Sequence, residues 1–581
     1  MSLNTQSLQP IINFLWTVAD DVLVNTYQKG KYKDVILPMV VIRRLDLLLE
    51  PSKEQVLKTF GEYKDKLQNL DSLLTNSKHG SGLAFYNTSP FTLKKLLEDP
   101  KNLRSNFENY LNGFSENVQD IIKQFKFRNE IETLDEADIL FSLIEKFCSP
   151  KVELHPDKLP PLAMGYVYED LVRRFNEENN EEAGEHFTPR EIIKLMTHLI
   201  FDPIKGKIKD GTYLVYDPAC GSGGMLTEAE HFALEINPKA KFHLYGQESQ
   251  PETFAICKAD MLIKEQDPDK IAFGSTLSND GFPKLQFDFM LSNPPYGKTW
   301  KIDQPAIVDK KEIIDHRFKI GVPRVNDGQL LFLMNMVSKM KKDSELGSRF
   351  ATIHNGSALF TGDAGQGESE IRKYLFENDL LEAIIALPND LFYNTGIPTY
   401  IFILTNKKEK KRKGKLQLIN VTAEQFYSKM RKPLGKKRVQ FDANHIKTIT
   451  KLFIDFETNE YSIILDNTNF GYSQIIVHQP EKDEQGNVVL DSKGKPKSDA
   501  KLRDIENIPL KESIDDFFET EVLPFVPDAW YNTKETKIGY EVNFAKYFYQ
   551  YQAPRTLAAI TNDILAIEQE TENLLKEIIE A

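Results

Sequence analysis

"YLVYDPACGSGGML" (Tyr213–Leu226) reads as a strand ending on an aspartate, a glycine-rich turn, and the first residues of a helix. Aromatic and β-branched residues fill its first half. The turn supplies glycines, which tolerate φ > 0 and let a ligand approach the backbone closely. In open α/β sheets ligands bind at the carboxyl ends of strands, where Asp217 stands. Gly221, Gly223 and Gly224 alone fit a dinucleotide or any tight strand–helix turn.

The same texture extends on both sides. From about 160 to 450, short apolar runs alternate with amphipathic stretches, and strands are expected at Tyr213–Asp217, Phe242–Gln247, Phe287–Leu291, Phe350–Ile353, Ala383–Leu387, Thr399–Leu404 and Leu416–Val421. Strands separated by helices imply an α/β fold with a mostly parallel, doubly wound, Rossmann-like sheet. Residues 1–155 read instead as helical: "IINFLWTVADDVL" (Ile11–Leu23), "VILPMVVIRRLDLLLE" (Val35–Glu50) and "LDEADILFSLIEKF" (Leu134–Phe147) carry apolar residues at helical spacing. Three regions are expected: a helical domain over 1–155, a catalytic domain over 156–465, and a C-terminal region over 466–581, with an exposed hairpin or insertion at Glu481–Lys501.

A chain of 581 residues is too long for one core. Its 41% hydrophobic and 27% charged residues suit a soluble globular protein. No stretch approaches the roughly 20 apolar residues of a membrane span, and no signal peptide is visible. Cys148, Cys220 and Cys257 give neither a disulfide framework nor metal-ligand spacing. The expectation is a cytoplasmic protein without metal or membrane contact. The net charge of -13 repels phosphate over most of the surface, so work on DNA would need grip from elsewhere.

"FHLYGQES" (Phe242–Ser249) ends a second strand at Glu248, placed to accept both hydroxyls of a ribose. Gly-Ser-Gly-Gly departs from G-x-G-x-x-G, however, and the helix start carries no Lys or Arg for phosphate. A cofactor without phosphates, held by Asp217 at a cationic amino acid end and by Glu248 at its ribose, fits better. S-adenosylmethionine is such a molecule.

"DFMLSNPPYGKTW" (Asp288–Trp300) is a strand stopped abruptly by two prolines, which lack the N–H of a ladder. Asn293-Pro294-Pro295-Tyr296 at a strand end resembles the catalytic motif of amino-methyltransferases acting on nucleobases. The lone pair of an exocyclic amine is delocalised into its ring. Two acceptors, the Asn293 side-chain oxygen and the Pro294 carbonyl, would draw the N–H groups toward tetrahedral geometry and free that pair. Pro295 helps hold the carbonyl rigid, and Tyr296 offers a face on which an extruded base stacks. Methylation at cytosine C5 needs a cysteine nucleophile, and none of the three is placed for it.

Nearly the whole chain resembles the methylation subunit of type I restriction–modification systems. "AGEHFTPREIIKLM" (Ala183–Met196) is similar to the segment preceding that family's glycine loop. The resemblance implies that Glu185, His186, Phe187, Thr188, Pro189 and Arg190 line the methionine end of the cofactor. Asp217, Gly221, Ser222, Gly223, Gly224 and Glu248 complete the site, with Ser275 and Thr276 of "FGSTL" (Phe273–Leu277) beside the adenine. His186 and His354 are read as structural rather than metal ligands. The implied activity is methylation of adenine N6 in DNA. A separate specificity subunit chooses the sequence, two copies of this chain join each specificity subunit, and a motor–nuclease subunit can join for restriction. N4-cytosine methylation shares the chemistry, protein-glutamine methylation uses the same tetrapeptide, and a non-catalytic scaffold is the non-enzyme alternative.

Three further features carry expectations. The 31 residues from Gly297 to Asp327 are long for a loop and read as a lid, mobile without DNA, or as a short helical insertion. "NKKEKKRKGK" (Asn406–Lys415), with seven basic residues and one acidic, is a solvated hairpin or a phosphate contact. Leu557, Ile560, Ile564, Ile567, Thr571, Leu574 and Ile578 keep an alternating spacing of 3 and 4, the seam of a coiled coil for subunit docking.

Overall fold

The computed structural model describes residues 8–178, 188–393, 395–549 and 556–580, without the side chains of 162, 176–178 and 570–580. Contacts divide the chain into a large unit, 1–542, and a small one, 543–581.

The large unit begins with a helical layer. Helix Tyr32–Leu49 is its axis: fourteen of its residues are buried, as expected of a helix apolar nearly all round. Buried Arg44 donates to the carbonyls of Leu154 (2.6 Å) and Leu159 (3.0 Å), fastening the axis to the segment that leads out of the layer. The core continues past residue 155 through helix Pro161–Glu178. It also takes in Ala255, Ile256, Ala259, Leu262 and Ile263 from helix Pro251–Ile263. The helix expected over Leu134–Phe147 is two helices, Phe127–Glu136 and Leu140–Cys148. Between them Asp138 takes φ +57°, and the Asp138 and Ile139 amides donate to the Asp135 and Leu134 carbonyls. This is a Schellman stop, which satisfies orphan carbonyls while letting the apolar period run on.

The sheet follows. In chain order its strands are β1 Thr212–Asp217, β2 Lys241–Glu248, β3 Ile271–Phe273, β4 Phe289–Ser292, β5 Arg349–Asn355, β6 Leu381–Ala386, β7 Thr399–Thr405, β8 Lys415–Asn420 and β9 Ser462–Asp466. Their spatial order is β9-β8-β6-β7-β5-β4-β1-β2-β3. β7 runs antiparallel between β5 and β6, and β9 antiparallel at one edge; all other pairs are parallel. Strand order reverses between β1 and β4, so a crevice opens beyond their carboxyl ends. The short edge strands β3 and β9 were not expected, and the run from Phe287 pairs regularly only from Phe289. Helices Arg190–Phe201, Gly224–Ile236 and Ala443–Asp455 share one core with the strands.

A second, antiparallel sheet sets Gly471–Val477 between Asp504–Pro509 and Lys537–Tyr540. Residues 480–498 fold over tight turns at Gly486 and Gly494, as the polar composition suggested. In the small unit, Leu557–Glu580 is one helix, as the spacing predicted. Among the described residues no helix is long and apolar enough to cross a membrane.

The segment from Gly297 to Asp327 is fastened to the domain at several points. Trp300 is buried and its indole donates to the Arg324 carbonyl at 3.0 Å. Buried Arg317 donates to the carbonyls of Thr276 and Leu277, both at 2.7 Å, and to Asn335 Oδ1 at 3.0 Å. Buried aromatic and guanidinium anchors fix the segment at these points, while more than half of its residues are exposed, Ile302 at 92% among them.

Candidate active site

The crevice beyond β1 and β4 contains a cavity of about 490 Å³, in the usual size range of small-molecule sites. β1 ends on Asp217, and its turn contributes Cys220, Gly221, Ser222 and Gly224 to the wall. β2 contributes Glu248, the chain after β3 contributes Ser275 and Thr276, and the end of β4 contributes Asn293 and Pro295. Thr188 closes another side. Residues far apart in sequence meet because each follows the carboxyl end of a parallel strand or precedes the helix covering it.

Asp217 is 1% exposed. Burial pushes its carboxyl up to about 7, although the Ala219 amide (3.0 Å) and the Ser292 hydroxyl (2.8 Å) donate to Oδ1. Glu248 is held differently. Its Oε2 accepts the Gly221 amide at 3.1 Å, and its Oε1 accepts the Ser249 and Gln250 amides at 2.8 Å each. Oε2 keeps a lone pair for a ligand, while both of those on Oε1 are taken by the two amides. Gly223, with φ +87°, does not line the cavity. A Cβ there would stand 3.0 Å from Cys257 Sγ, so this glycine serves the packing of the turn onto helix Pro251–Ile263.

Asn293 is the most telling group. Its Nδ2 donates to Thr188 Oγ1 at 3.0 Å, which fixes the amide plane. Its Oδ1 is buried and has no hydrogen-bond partner among the described residues. A buried acceptor left unsatisfied costs on the order of 1–3 kcal/mol, and a ligand N–H would relieve it. The loop after it is pinned from behind, since the Gly297 amide donates to Asp327 Oδ1 at 3.0 Å. Asp327 Oδ2 accepts from Gln329 Nε2 and Ser357 Oγ, both at 2.8 Å. Pro294 is buried, and Tyr296 packs half-buried against the sheet core, its phenol pushed up to about 12 by burial. Neither lines the cavity.

Glu185, His186 and Phe187 lie outside the described residues. Pro189 caps helix Arg190–Phe201. Arg190, expected at the carboxylate end of a cofactor, turns away: Nε donates to Glu169 Oε1 at 2.9 Å and the guanidinium stacks 4.1 Å over Tyr166. Cys220 Sγ lies 3.8 Å from Cys257 Sγ, and that thiol together with burial pushes the Cys220 pKa well up. It is no nucleophile. His354 is buried against Gln329, and burial pulls its imidazole down to about 3. Among the described residues no cluster could hold a metal ion. Sequence reading missed Glu169, Ser292, Ile302, Asp303 and Phe332; Ser292 alone had a signal, as the residue between a strand and the motif.

The wall carries four carboxylates (Glu169, Asp217, Glu248, Asp303) and one lysine, Lys298, among the described residues. Glu169 is paired with Arg190 and burial raises the Asp217 pKa, so the acidic excess is smaller than the count, but its sign still suits a cationic ligand.

A family model for N-6 DNA methylases matches residues 162–478, and one described as the HsdM N-terminal domain matches 11–147. The type I restriction enzyme MjaIX methylase subunit of Methanocaldococcus jannaschii is 26% identical over 480 residues, 77% of each chain. The HindI methylase subunit of Haemophilus influenzae is 31% identical over 264 residues, 44% of this chain and 54% of that one. In fold, the chain is similar to the crystal structure of a type I restriction–modification methyltransferase subunit from Streptococcus thermophilus. The TM-score is 0.60 at 20% identity, covering 80% of this chain and 97% of that one.

Proposed function

The chain belongs to the N-6 DNA methylase family, and from that premise we propose how its own residues carry out methyl transfer to adenine N6. It is the methylase subunit of a type I restriction–modification system. The observation that carries the mechanism is the pinned Asn293 amide with its unpartnered Oδ1. We assign S-adenosylmethionine to the cavity, because its positive charge suits the acidic wall and its ribose suits Glu248. When bound it supplies an electrophilic methyl group on a sulfonium.

Asn293 Oδ1 and the Pro294 carbonyl accept the two N–H groups of the target adenine and localise its lone pair on nitrogen. Thr188 holds the amide plane by accepting from Nδ2, and Asp327 holds the loop through Gly297. Tyr296 gives the base a face once it tilts from its half-buried position. Asp217 provides the negative charge for the cofactor's cationic end. DNA, a specificity subunit that selects the sequence, and a restriction subunit are the partners we assign, with two copies of this chain per specificity subunit. Co-expression with the neighbouring specificity gene and mapping of methylated bases tests the function. N6-methyladenine at one sequence is expected, and N4-methylcytosine in its place would overturn it.

Two binding predictions follow from the carboxylates. Asp217 is half-protonated near pH 7 in the free protein. A cation beside it lowers that pKa, so binding expels a proton below pH 7, and affinity rises with pH until it levels above 7. Calorimetry at pH 6 in two buffers of different ionisation enthalpy should show proton release, which Asp217→Asn should remove. No release in the unaltered protein would strip Asp217 of this role. Glu248→Gln keeps one oxygen for the Ser249 and Gln250 amides, turns an NH2 toward the Gly221 amide that Oε2 now accepts, and loses the charge. It should weaken cofactor binding by about tenfold or more, since hydrogen bonds to a charged group contribute about 1.5–3 kcal/mol. Unchanged affinity at an unchanged melting temperature would place the ribose elsewhere.

A further inference from the structure

Sheet topology separates two basic segments that look equivalent in the sequence. β7 is antiparallel to its neighbours, so residues 406–414, which join its end to the start of β8, lie on the edge of the sheet away from Asp217 and Asn293. Several of their charges are also engaged. Lys408 Nζ meets Asp379 at 2.6 Å, and buried Arg412 bonds Gln417 at 3.0 Å and stacks over Phe453 and Phe456. This run is structural.

β8 is parallel to β6 and so to β1 and β4. Its carboxyl end at Asn420 therefore lies on the methylating edge. Soon after it comes a hairpin, Ser428–Leu434 paired with Lys437–Gln440. Residues 428–440, "SKMRKPLGKKRVQ", carry six basic residues and no acidic one, against the acidic balance of the whole chain.

The hairpin is firmly seated. The amides of Lys436 and Arg438 donate to the carbonyls of Tyr393 and Asp390 at 2.8 Å each, on the segment that leaves β6. Buried Lys437 bonds Glu191, the Leu391 carbonyl (2.9 Å) and the Val439 carbonyl (2.8 Å). Glu191 stands in the first turn of helix Arg190–Phe201, three residues after Thr188, the partner of Asn293. A short chain of contacts thus ties the hairpin to the catalytic amide. Lys437 is consumed by this anchoring. Lys429, Arg431, Lys432, Lys436 and Arg438 are exposed. Of these only Lys429 has a carboxylate partner among the described residues, Glu424 at 3.2 Å, in a pair that is itself exposed. Lys429 and Arg438 also form part of the wall of a cleft of about 710 Å³ between the hairpin and the ends of β6 and β8.

We propose that the hairpin Ser428–Gln440 grips the phosphate backbone of duplex DNA beside the target base, through Arg431, Lys432, Lys436, Arg438 and Lys429. The inference rests on the DNA-methylating function argued above. Clustered cations on a rigid support, on the edge where the base must enter, are what a sequence-independent backbone contact requires. The contact supplies local grip that the rest of an acidic surface does not.

The test uses the full chain assembled with its specificity subunit and a fluorescent duplex carrying the mapped methylation site. Binding is titrated at several NaCl concentrations for the unaltered assembly, for Arg431→Gln/Lys432→Gln/Lys436→Gln, and for Lys410→Gln/Lys411→Gln/Lys413→Gln on the opposite edge. Each phosphate contact contributes about 0.9 to the slope of log affinity against log salt. The hairpin variant should therefore lose about 2 to 3 from that slope for each copy of the chain, about 5 in an assembly of two copies, while the opposite-edge variant keeps it and both keep cofactor affinity. An unchanged slope in the hairpin variant, or an equal loss in both variants, overturns the proposal. The same samples are assayed for N6-methyladenine. An unaltered assembly that binds duplex but methylates another atom would break the function while leaving the hairpin's slope to judge the contact.

Discussion

Asn293→Ala is expected to lower methyl transfer by about 10²–10³-fold, the usual loss when one preorganised polar group is removed from a reacting centre. Affinity for S-adenosylmethionine should stay close to that of the unaltered protein. The amide acts on the base amine. The cofactor is held by other groups on the wall, and Asp217 is supported by Ser292 and Ala219 rather than by Asn293. The variant should also fold, because Asn293 contributes one hydrogen bond, to Thr188, and carries an acceptor that is already unsatisfied. Asn293→Asp separates the two halves of the argument. It keeps an acceptor for the amine but gives up the N–H that Thr188 fixes, so an intermediate rate is expected. Single-turnover assays with tritiated cofactor measure the step. An alanine variant that kept most of the normal rate would remove the amide from the mechanism.

The parts of the site that follow strand ends were legible in the sequence. A strand, its terminal carboxylate and a glycine turn are local in the chain, and so is a strand stopped by two prolines. Asp217, Glu248 and Asn293 could be picked out for that reason, and the fold places them around one cavity. What escaped was contact between distant segments. Nothing local says that Arg190 prefers Glu169 and Tyr166 to the cavity, because helix Pro161–Glu178 brings both of those residues to it. The anchoring of the segment from Gly297 to Asp327 was hidden likewise. Arg317 looks like an ordinary surface arginine until the Thr276 and Leu277 carbonyls are seen to surround it. The basic segments show the same limit: the sequence reading singled out 406–415 and passed over 428–440, and only the antiparallel course of β7 puts them on opposite edges.

Deleting residues 556–581 is expected to abolish co-purification with the specificity subunit and all methylation of DNA, while the rest of the chain folds and binds cofactor. Helix Leu557–Glu580 exposes Leu557 (83%), Ile560 (40%), Ile564 (59%) and Ile567 (63%), the first four members of a seam alternating by 3 and 4. A stripe this narrow matches the contact line of one long helix on another. Fully burying a Leu or Ile side chain contributes about 1.5–3 kcal/mol. Four of them supply roughly 6–12 kcal/mol before ordering costs, enough to decide whether subunits assemble. Between Leu557 and Ala581 the remaining faces carry six acidic residues and one lysine, so a partner helix with basic residues flanking its own apolar seam is favoured. Ile564→Asp is the milder form of the experiment. It puts a carboxylate into the seam, leaves every other residue in place, and should weaken assembly without ending it. Methylation fails in the deletion because this acidic chain relies on its partner to hold the duplex, so loss of assembly and loss of activity must go together. A truncated chain that still assembled and methylated normally would show that the seam has no part in docking. One that assembled but did not methylate would move its role to the handling of DNA.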